Sequence, residues 1–280
     1  MVKIGKTNRL EIIKFVDFGA YLDGLDLGEI LLPNKYIPKD CKVYDFVEVF
    51  LYKDSEDRLI ATTEKPYAQV NEFGYLEVVA NGNYGAFVDW GLPKDLLIPY
   101  SQQKTDLLVG RKYLVFVYFD TKTNRIAGST KIEEFVLDYD NDFRVGDEVE
   151  IITTEKTNYG YKVIVDNLVW GIIFDTEINI QMYVGKKIKG FVKEIRKDGI
   201  VHCVLELNVQ YKFDRQTQRI LNHLKKNNNY LALSDKSSPE QILELFGFSK
   251  NIFKQSLGIL YRHQIIELDN DGIRLIKMID

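Results

Sequence analysis

Along most of the chain apolar and polar positions alternate with a period near two, and after about residue 212 the period lengthens to 3.6. The chain therefore reads as a long β region followed by a helical one. Within the β region one arrangement of strands returns three times. A first strand is expected over 10–18, 75–80 and 149–153, and a second over 20–22, 86–89 and 161–165. A short apolar third strand follows at 29–33, 95–99 and 170–174. A polar connection and a hairpin then close each unit. The hairpins are expected at 46–52 with 58–62, at 113–119 with 125–129, and around a tighter turn at Lys197-Asp198-Gly199. Five short strands in about 65 residues fit a small Greek-key barrel of the OB type.

The clearest mark of the repeat is Phe18-Gly19-Ala20-Tyr21-Leu22, matched by Tyr84-Gly85-Ala86-Phe87-Val88 and more loosely by Tyr159-Gly160-Tyr161-Lys162-Val163. The glycines lie 66 and 75 residues apart, too far for a solenoid and suited to a string of small β domains. A glycine here permits a bulge or a close backbone approach, which can aim the flanking rings outward as a stacking surface for unpaired bases. The same pattern also fits rings packed in a core, and strict alternation along a strand puts residues 18 and 21 on opposite faces. Trp90, just beyond the second motif, is expected to extend the surface.

The helical region predicts a helix over 215–226, a second opened by Ser238-Pro239-Glu240-Gln241 and stopped at Gly247, and a third over 250–265 capped by Ser249. A hairpin around Asn270-Asp271-Gly272 ends the chain, so the expected unit is a winged helix-turn-helix. On the third helix Phe253, Leu257 and Leu260 form the core stripe. Lys250, Lys254, Tyr261 and Arg262 fall on the other side, a weakly basic face that can serve RNA, DNA or simple solvation.

Charge changes this picture in one respect. The net charge is −4, but by segment it is −2 for 1–66, +1 for 67–132, −5 for 133–143, −1 for 144–210 and +3 for 211–280. The acidity is concentrated in one connector, and the binding implied is salt-sensitive and led by stacking more than by phosphate attraction. The domains expected are 1–65, 67–132, an acidic linker 133–143, a degenerate third repeat 144–211, and the winged helix 212–280. With no apolar leader and no long apolar run, a soluble cytoplasmic protein is expected. Cys41 and Cys203, each in a strand-like run, read as buried reduced thiols.

The order Phe-Gly-Ala-Tyr, an apolar strand, Val109-Gly110, and a hairpin ending Arg125-Ile126-Ala127-Gly128-Ser129-Thr130 resembles S1 RNA-binding domains. Three such units and a winged helix together resemble the conserved virulence factor B (YitL-like) family of bacterial RNA-binding regulators. The resemblance covers nearly the whole chain. It implies a mainly β multidomain fold of three tandem S1-like barrels with an α+β winged helix, and a post-transcriptional regulator of virulence-type genes. Carried over residue by residue, the nucleic-acid face comprises Phe18 and Tyr21, then Tyr84 and Phe87, with Arg58 and Arg125 beside them. Many S1 domains carry a histidine after the third strand; Pro33, Pro99 and Asp175 stand near those places, which removes one base contact. The third repeat also lacks the hairpin arginine and suits a spacer.

No pattern points to catalysis. His202, His223 and His263 fit no ligand spacing with the cysteines, and phosphate loops, nucleophile elbows and dinucleotide fingerprints are missing. The expectation is a non-enzymatic protein without cofactor, metal, small-molecule substrate or membrane partner, which holds single-stranded RNA. Two other classes fit the same residues: a scaffold docking on ribosomal or RNA-decay proteins, and a winged-helix transcription regulator reading duplex DNA.

Overall fold

The computed structural model describes residues 2–137, 142–206, 209–234, 236–262, 265–269 and 272–276, with 209–215 described by backbone alone. The first barrel is built from β1 (Thr7–Val16), β2 (Gly19–Asp23), β3 (Glu29–Pro33), β4 (Phe46–Lys53) and β5 (Leu59–Thr62), closed in the order β1-β2-β3-β5-β4. The second uses β6 (Glu72–Gly82), β7 (Gly85–Asp89), β8 (Leu96–Pro99), β9 (Lys112–Asp120) and β10 (Arg125–Ser129). Its ladder runs β10-β9-β6-β7-β8 and does not close. The ends β8 and β10 instead meet through side chains, with Ile98 and Leu96 crowding the Cα of Gly128. The third, β11 (Glu148–Lys156), β12 (Gly160–Val165), β13 (Val169–Phe174), β14 (Lys187–Ile195) and β15 (Val201–Val204), closes as the first does. About half of the strand ends extend a residue or more past the expected ones, because the outer, polar ends of the ladders still pair, whereas β1 stops at Val16, short of the expected 18.

The interior of the first barrel is an alternation of inward residues, among them Leu10, Ile12, Leu22, Ile30, Leu32 and Val49. Each first strand carries one irregularity at the same place: between Ile12 and Lys14, Val78 and Ala80, and Thr153 and Glu155. The bulge therefore lies on the first strand, and the glycine opposite makes the close approach. A Cβ on Gly19, Gly85 or Gly160 would stand 2.4, 2.1 or 2.0 Å from the carbonyl oxygen of Leu32, Ile98 or Ile173. Only a bare Cα fits against the third strand there.

The junction of the first two barrels is apolar. Phe50 and Tyr52 of β4 join Val70, Trp90 and Leu92 in one buried cluster, and Phe50 meets Trp90 edge-on at 5.7 Å. Each such ring contributes about 1.5–3 kcal/mol on burial. The half-buried pair Lys6–Glu72 at the same junction contributes on the order of 1 kcal/mol. Burial holds the two barrels together.

Contacts divide the chain into two compact units, Met1–Asn141 with Val149–Lys189 and Arg196–Val201, and Asp142–Glu148 with Gly190–Ile195 and His202–Asp280. The second unit contains the winged helix: α1 (Val209–Lys226), β16 (Tyr230–Leu231), α2 (Pro239–Phe246), α3 (Lys250–Arg262), β17 (Ile266–Asp269) and β18 (Gly272–Leu275). The sheet order is β16-β18-β17. Ser238 accepts from the Gln241 amide while the Gln241 side chain accepts from the Ser238 amide, and Gly247 ends α2 in the left-handed conformation. Ile220, Leu224, Ile242, Phe253, Leu257 and Ile273 fill the core. The expected turn at Asn270 and Asp271 lies outside the described residues.

Cys203 is buried in β15, whereas Cys41 is half-buried in the segment before β4 and not in a strand; neither forms a disulfide. Among the described residues no helix is long and apolar enough to cross a membrane.

Gly85→Ala is expected to destabilise the protein by about 1–3 kcal/mol, since the obstructing atom is backbone and cannot rotate away. A urea transition followed by tryptophan fluorescence would show it, and an unchanged midpoint would refute the packing argument. Gly258→Ala is a control in α3: open space surrounds its Cα, and removal of a helix glycine stabilises by up to about 1 kcal/mol.

Candidate functional site

The two intact motifs present their rings outside the barrels. Phe18 and Tyr84 each occupy the turn between the first and second strands, with 58% and 78% of their surface exposed. Placement in the turn removes the alternation constraint on residue 18: it reaches back over the strand, and its ring meets Tyr21 edge-on at 6.4 Å. The turn is pinned from the far side. The carbonyls of Phe18, Tyr84 and Tyr159 accept the amides of Asn34, Tyr100 and Asp175 at 3.2, 3.2 and 2.9 Å. Tyr21 and Phe87, two residues after each glycine, lie half-buried on the outer face of the second strand.

The surroundings of the two pairs differ. In the first barrel the Lys14 ammonium lies 5.0 Å from the centre of the Tyr21 ring and bonds Glu29 at 2.6 Å. In the second, Ala80 stands opposite Phe87. Tyr84 and Phe87 there line a cleft of about 270 Å³ with Phe119, Lys94 and Arg125, walled on one side by Tyr52 and Lys53 of the first barrel. Lys94, Lys53 and Phe119 carry no sequence signal of their own. Only the docking of the barrels makes them neighbours.

Charge in this cleft is nearly balanced. Arg125 donates to Asp57, on the hairpin tip of the first barrel, and Lys94 donates to the Asp54 carbonyl at 2.6 Å. Burial pulls the Lys94 ammonium below its ordinary value; Asp57 and Asp54 oppose that shift while Arg125 adds to it. Burial, and then Asp89 beside it, push the Asp95 carboxyl up. Arg58 is not at the cleft with a bare guanidinium: it bonds Asp54 at 2.7 Å and Glu56 at 2.8 Å within its own turn.

Trp90 does not extend the surface. It is 3% exposed, donates its indole N–H to the Lys94 carbonyl at 2.6 Å and packs edge-on against Phe50. One residue past the end of β7, it turns into the barrel junction.

The third barrel departs from the other two. Register puts Lys162 at the position of Tyr21 and Phe87, with its ammonium 3.7 Å from the centre of the Trp170 ring. Two residues on, Ile164 pairs with Trp170 where the first barrel pairs Asp23 with Glu29. Ile164, Ile152 and Trp170 are buried with Phe73 and Phe116 of the second barrel and with Val136 of the connector. The same register sets Pro33, Pro99 and Phe174 opposite the glycines, so Asp175 lies one position farther on, where it pairs with Lys156.

On α3, Lys254, Tyr261 and Arg262 are exposed and Lys250 is half-buried, while Phe253, Leu257 and Leu260 are buried. His202 is buried in β15, His223 packs edge-on against Phe246, and His263 lies outside the described residues. Among the described residues no group of three or more His, Cys, Asp or Glu side chains is placed to hold a metal ion.

The S1 domain model matches residues 4–64, and the model of a CvfB-like winged helix domain matches residues 218–275. The uncharacterized protein YitL of Bacillus subtilis is 31% identical over 95% of this chain and 91% of its own. The conserved virulence factor B of Staphylococcus saprophyticus is 25% identical over 97% of this chain and 94% of its own. A crystal structure of a multidomain protein with nucleic acid binding domains from Streptococcus pneumoniae aligns over 98% of both chains, at 24% identity and a TM-score of 0.38.

The Arg125 hydrogen bond holds the Asp57 carboxyl below its ordinary value of 3.8. A depressed carboxyl stabilises the fold above its ordinary value and loses that contribution as pH falls through the folded value. An NMR titration of the Asp57 carboxyl carbon should give a midpoint below 3.8, rising in Arg125→Ala. A midpoint that the substitution leaves in place would dismiss the pairing.

Proposed function

The chain belongs to the conserved virulence factor B family, and we propose that it binds single-stranded RNA as a cytoplasmic, non-enzymatic regulator of gene expression. The observation that carries this reading is the pair of ring pairs, Phe18 with Tyr21 and Tyr84 with Phe87, on register-equivalent outer positions of two adjacent barrels. Rings presented in this way accept bases by stacking, and each stacked base is worth about 1–3 kcal/mol. Duplex DNA hides those base faces. Single strands expose them.

Cations supply the second component. Lys14 beside the first ring pair, and Lys94 and Arg125 beside the second, can follow a phosphate backbone. Their carboxylate partners Glu29 and Asp57 keep that attraction modest, in line with a chain whose net charge is −4. The exposed residues Lys254, Tyr261 and Arg262, with Lys250, offer a further weakly basic surface on the winged helix for the same ligand. The third barrel has no equivalent pair of open rings and serves as a structural spacer. Family membership supports a role in the expression of virulence-type genes, with transcripts as the regulated molecules.

Replacing Tyr84 and Phe87 together by Ala should weaken binding of an unstructured RNA oligonucleotide at least about tenfold, the loss of one stacked base or more. Fluorescence anisotropy at two salt concentrations would measure it, and circular dichroism would verify that the variant remains folded. Affinity equal to the parent protein would remove the ring surface as the binding site. Preference for duplex DNA with a consensus sequence would favour a transcription regulator instead.

A further inference from the structure

The hairpin tip of the first barrel reaches the mouth of the second barrel's cleft and places a carboxylate on its arginine. We propose that Asp57 is an internal competitor for RNA phosphate: its carboxylate occupies Arg125, and the RNA backbone displaces it on binding. This rests on the single-stranded RNA reading and adds a regulatory element to the same site. Carboxylate and phosphate oxygens make the same hydrogen-bonded pair with a guanidinium, so one can replace the other without rebuilding the site.

Three observations support the exchange. First, the pair is exposed, with 56% of the Arg125 side chain and 43% of the Asp57 side chain open to solvent, so an incoming strand can reach it. Second, the tip is held without it. Asp54 accepts the amides of Glu56 and Arg58 at 2.9 and 3.0 Å and the Arg58 side chain at 2.7 Å, and Lys94 anchors the Asp54 carbonyl at 2.6 Å. The apolar junction of Phe50, Val70 and Trp90 secures the barrels in any case. Third, the contact joins two barrels through residues 68 apart in sequence at the edge of the ring-lined cleft, with Lys94 4.0 Å from the other Asp57 oxygen. Asp57 thus neutralises two cations that face the ligand while contributing little to the fold. Its cost to RNA affinity sets a threshold: weakly stacking strands do not displace it, and well-stacked ones do.

The test uses the full chain and a fluorescein-labelled uridine oligonucleotide of about twelve nucleotides, a length within the span of one or two barrels. Asp57→Asn keeps a residue that tolerates the left-handed backbone found there, φ 61°. It should bind about three- to tenfold tighter, the range expected from releasing an exposed ion pair. The gain should shrink as salt rises, because salt screens the exposed ion pair that only the parent must break. Asp57→Asn with Arg125→Ala should lose the gain. Glu56→Gln removes the same charge from the same turn, where it pairs with Arg58, and should bind as the parent does. Equal tightening by Asp57→Asn and Glu56→Gln would overturn the proposal in favour of a general charge effect, as would no tightening by Asp57→Asn. If the parent binds the oligonucleotide and the Tyr84, Phe87 double variant does not, such an outcome condemns the competitor alone. If the parent fails to bind, the RNA reading falls and the competitor with it.

Discussion

Everything on the outer face of these barrels depends on one steric constraint, the contact between a glycine Cα and a carbonyl of the neighbouring strand. At Gly19, Gly85 and Gly160 the second strand approaches the third so closely that a methyl group would overlap the carbonyl oxygen. That approach fixes the turn before it. The carbonyl of the preceding aromatic is then captured by an amide just past the third strand, at Asn34, Tyr100 and Asp175. A ring held at both sides in this way cannot fold back into the core. The bulge on the opposite strand supplies the local twist that the approach requires.

The same scaffold is used for two purposes. In the first two barrels the outer face carries rings, a few cations and acidic residues, and stays open to solvent. In the third the positions of Asp23 and Glu29 are taken by Ile164 and Trp170, and the ring position by Lys162. Those apolar side chains are buried against Phe73, Phe116 and Val136. Phe135 stacks on Phe116 at 4.3 Å and extends the seal. There the outer face packs against its neighbour, with apolar side chains at the positions that carry an acidic pair in the first barrel. Burial of that cluster, with the cluster around Phe50 and Trp90, turns a string of small domains into a compact unit.

Much of this was legible in the residues. The triple motif located each second strand, the alternation located the cores, and Ser238, Pro239 and Gly247 marked both ends of α2. Two kinds of information were not. Strand alternation misplaced Phe18 because the residue lies in a turn, where the period of two does not apply. Trp90 follows an aromatic motif in sequence, but the ring it packs against, Phe50, comes from another barrel. The cleft has the same origin: Tyr52 and Lys53 meet Phe119 and Arg125 only after the barrels dock. Contacts of that kind have no short-range signature. The substitution of Ile164 and Trp170 at an acidic pair is different, since the aligned repeats display it, and it marks a buried face before any coordinates are known.

RNA binding, as proposed, requires an acidic chain to hold a polyanion. The cations beside the rings are matched by carboxylates, Glu29 on Lys14 and Asp57 on Arg125. On the proposed reading phosphate attraction alone is weak, and stacking would supply the selectivity for unpaired strands. The most direct test is to irradiate the full chain with RNA containing 4-thiouridine and map the crosslinked peptides by mass spectrometry. Open rings acting as the contact surface predict adducts in the peptides containing Phe18 to Tyr21 and Tyr84 to Phe87. Adducts confined to the winged helix or the third barrel, with none at those rings, would contradict it.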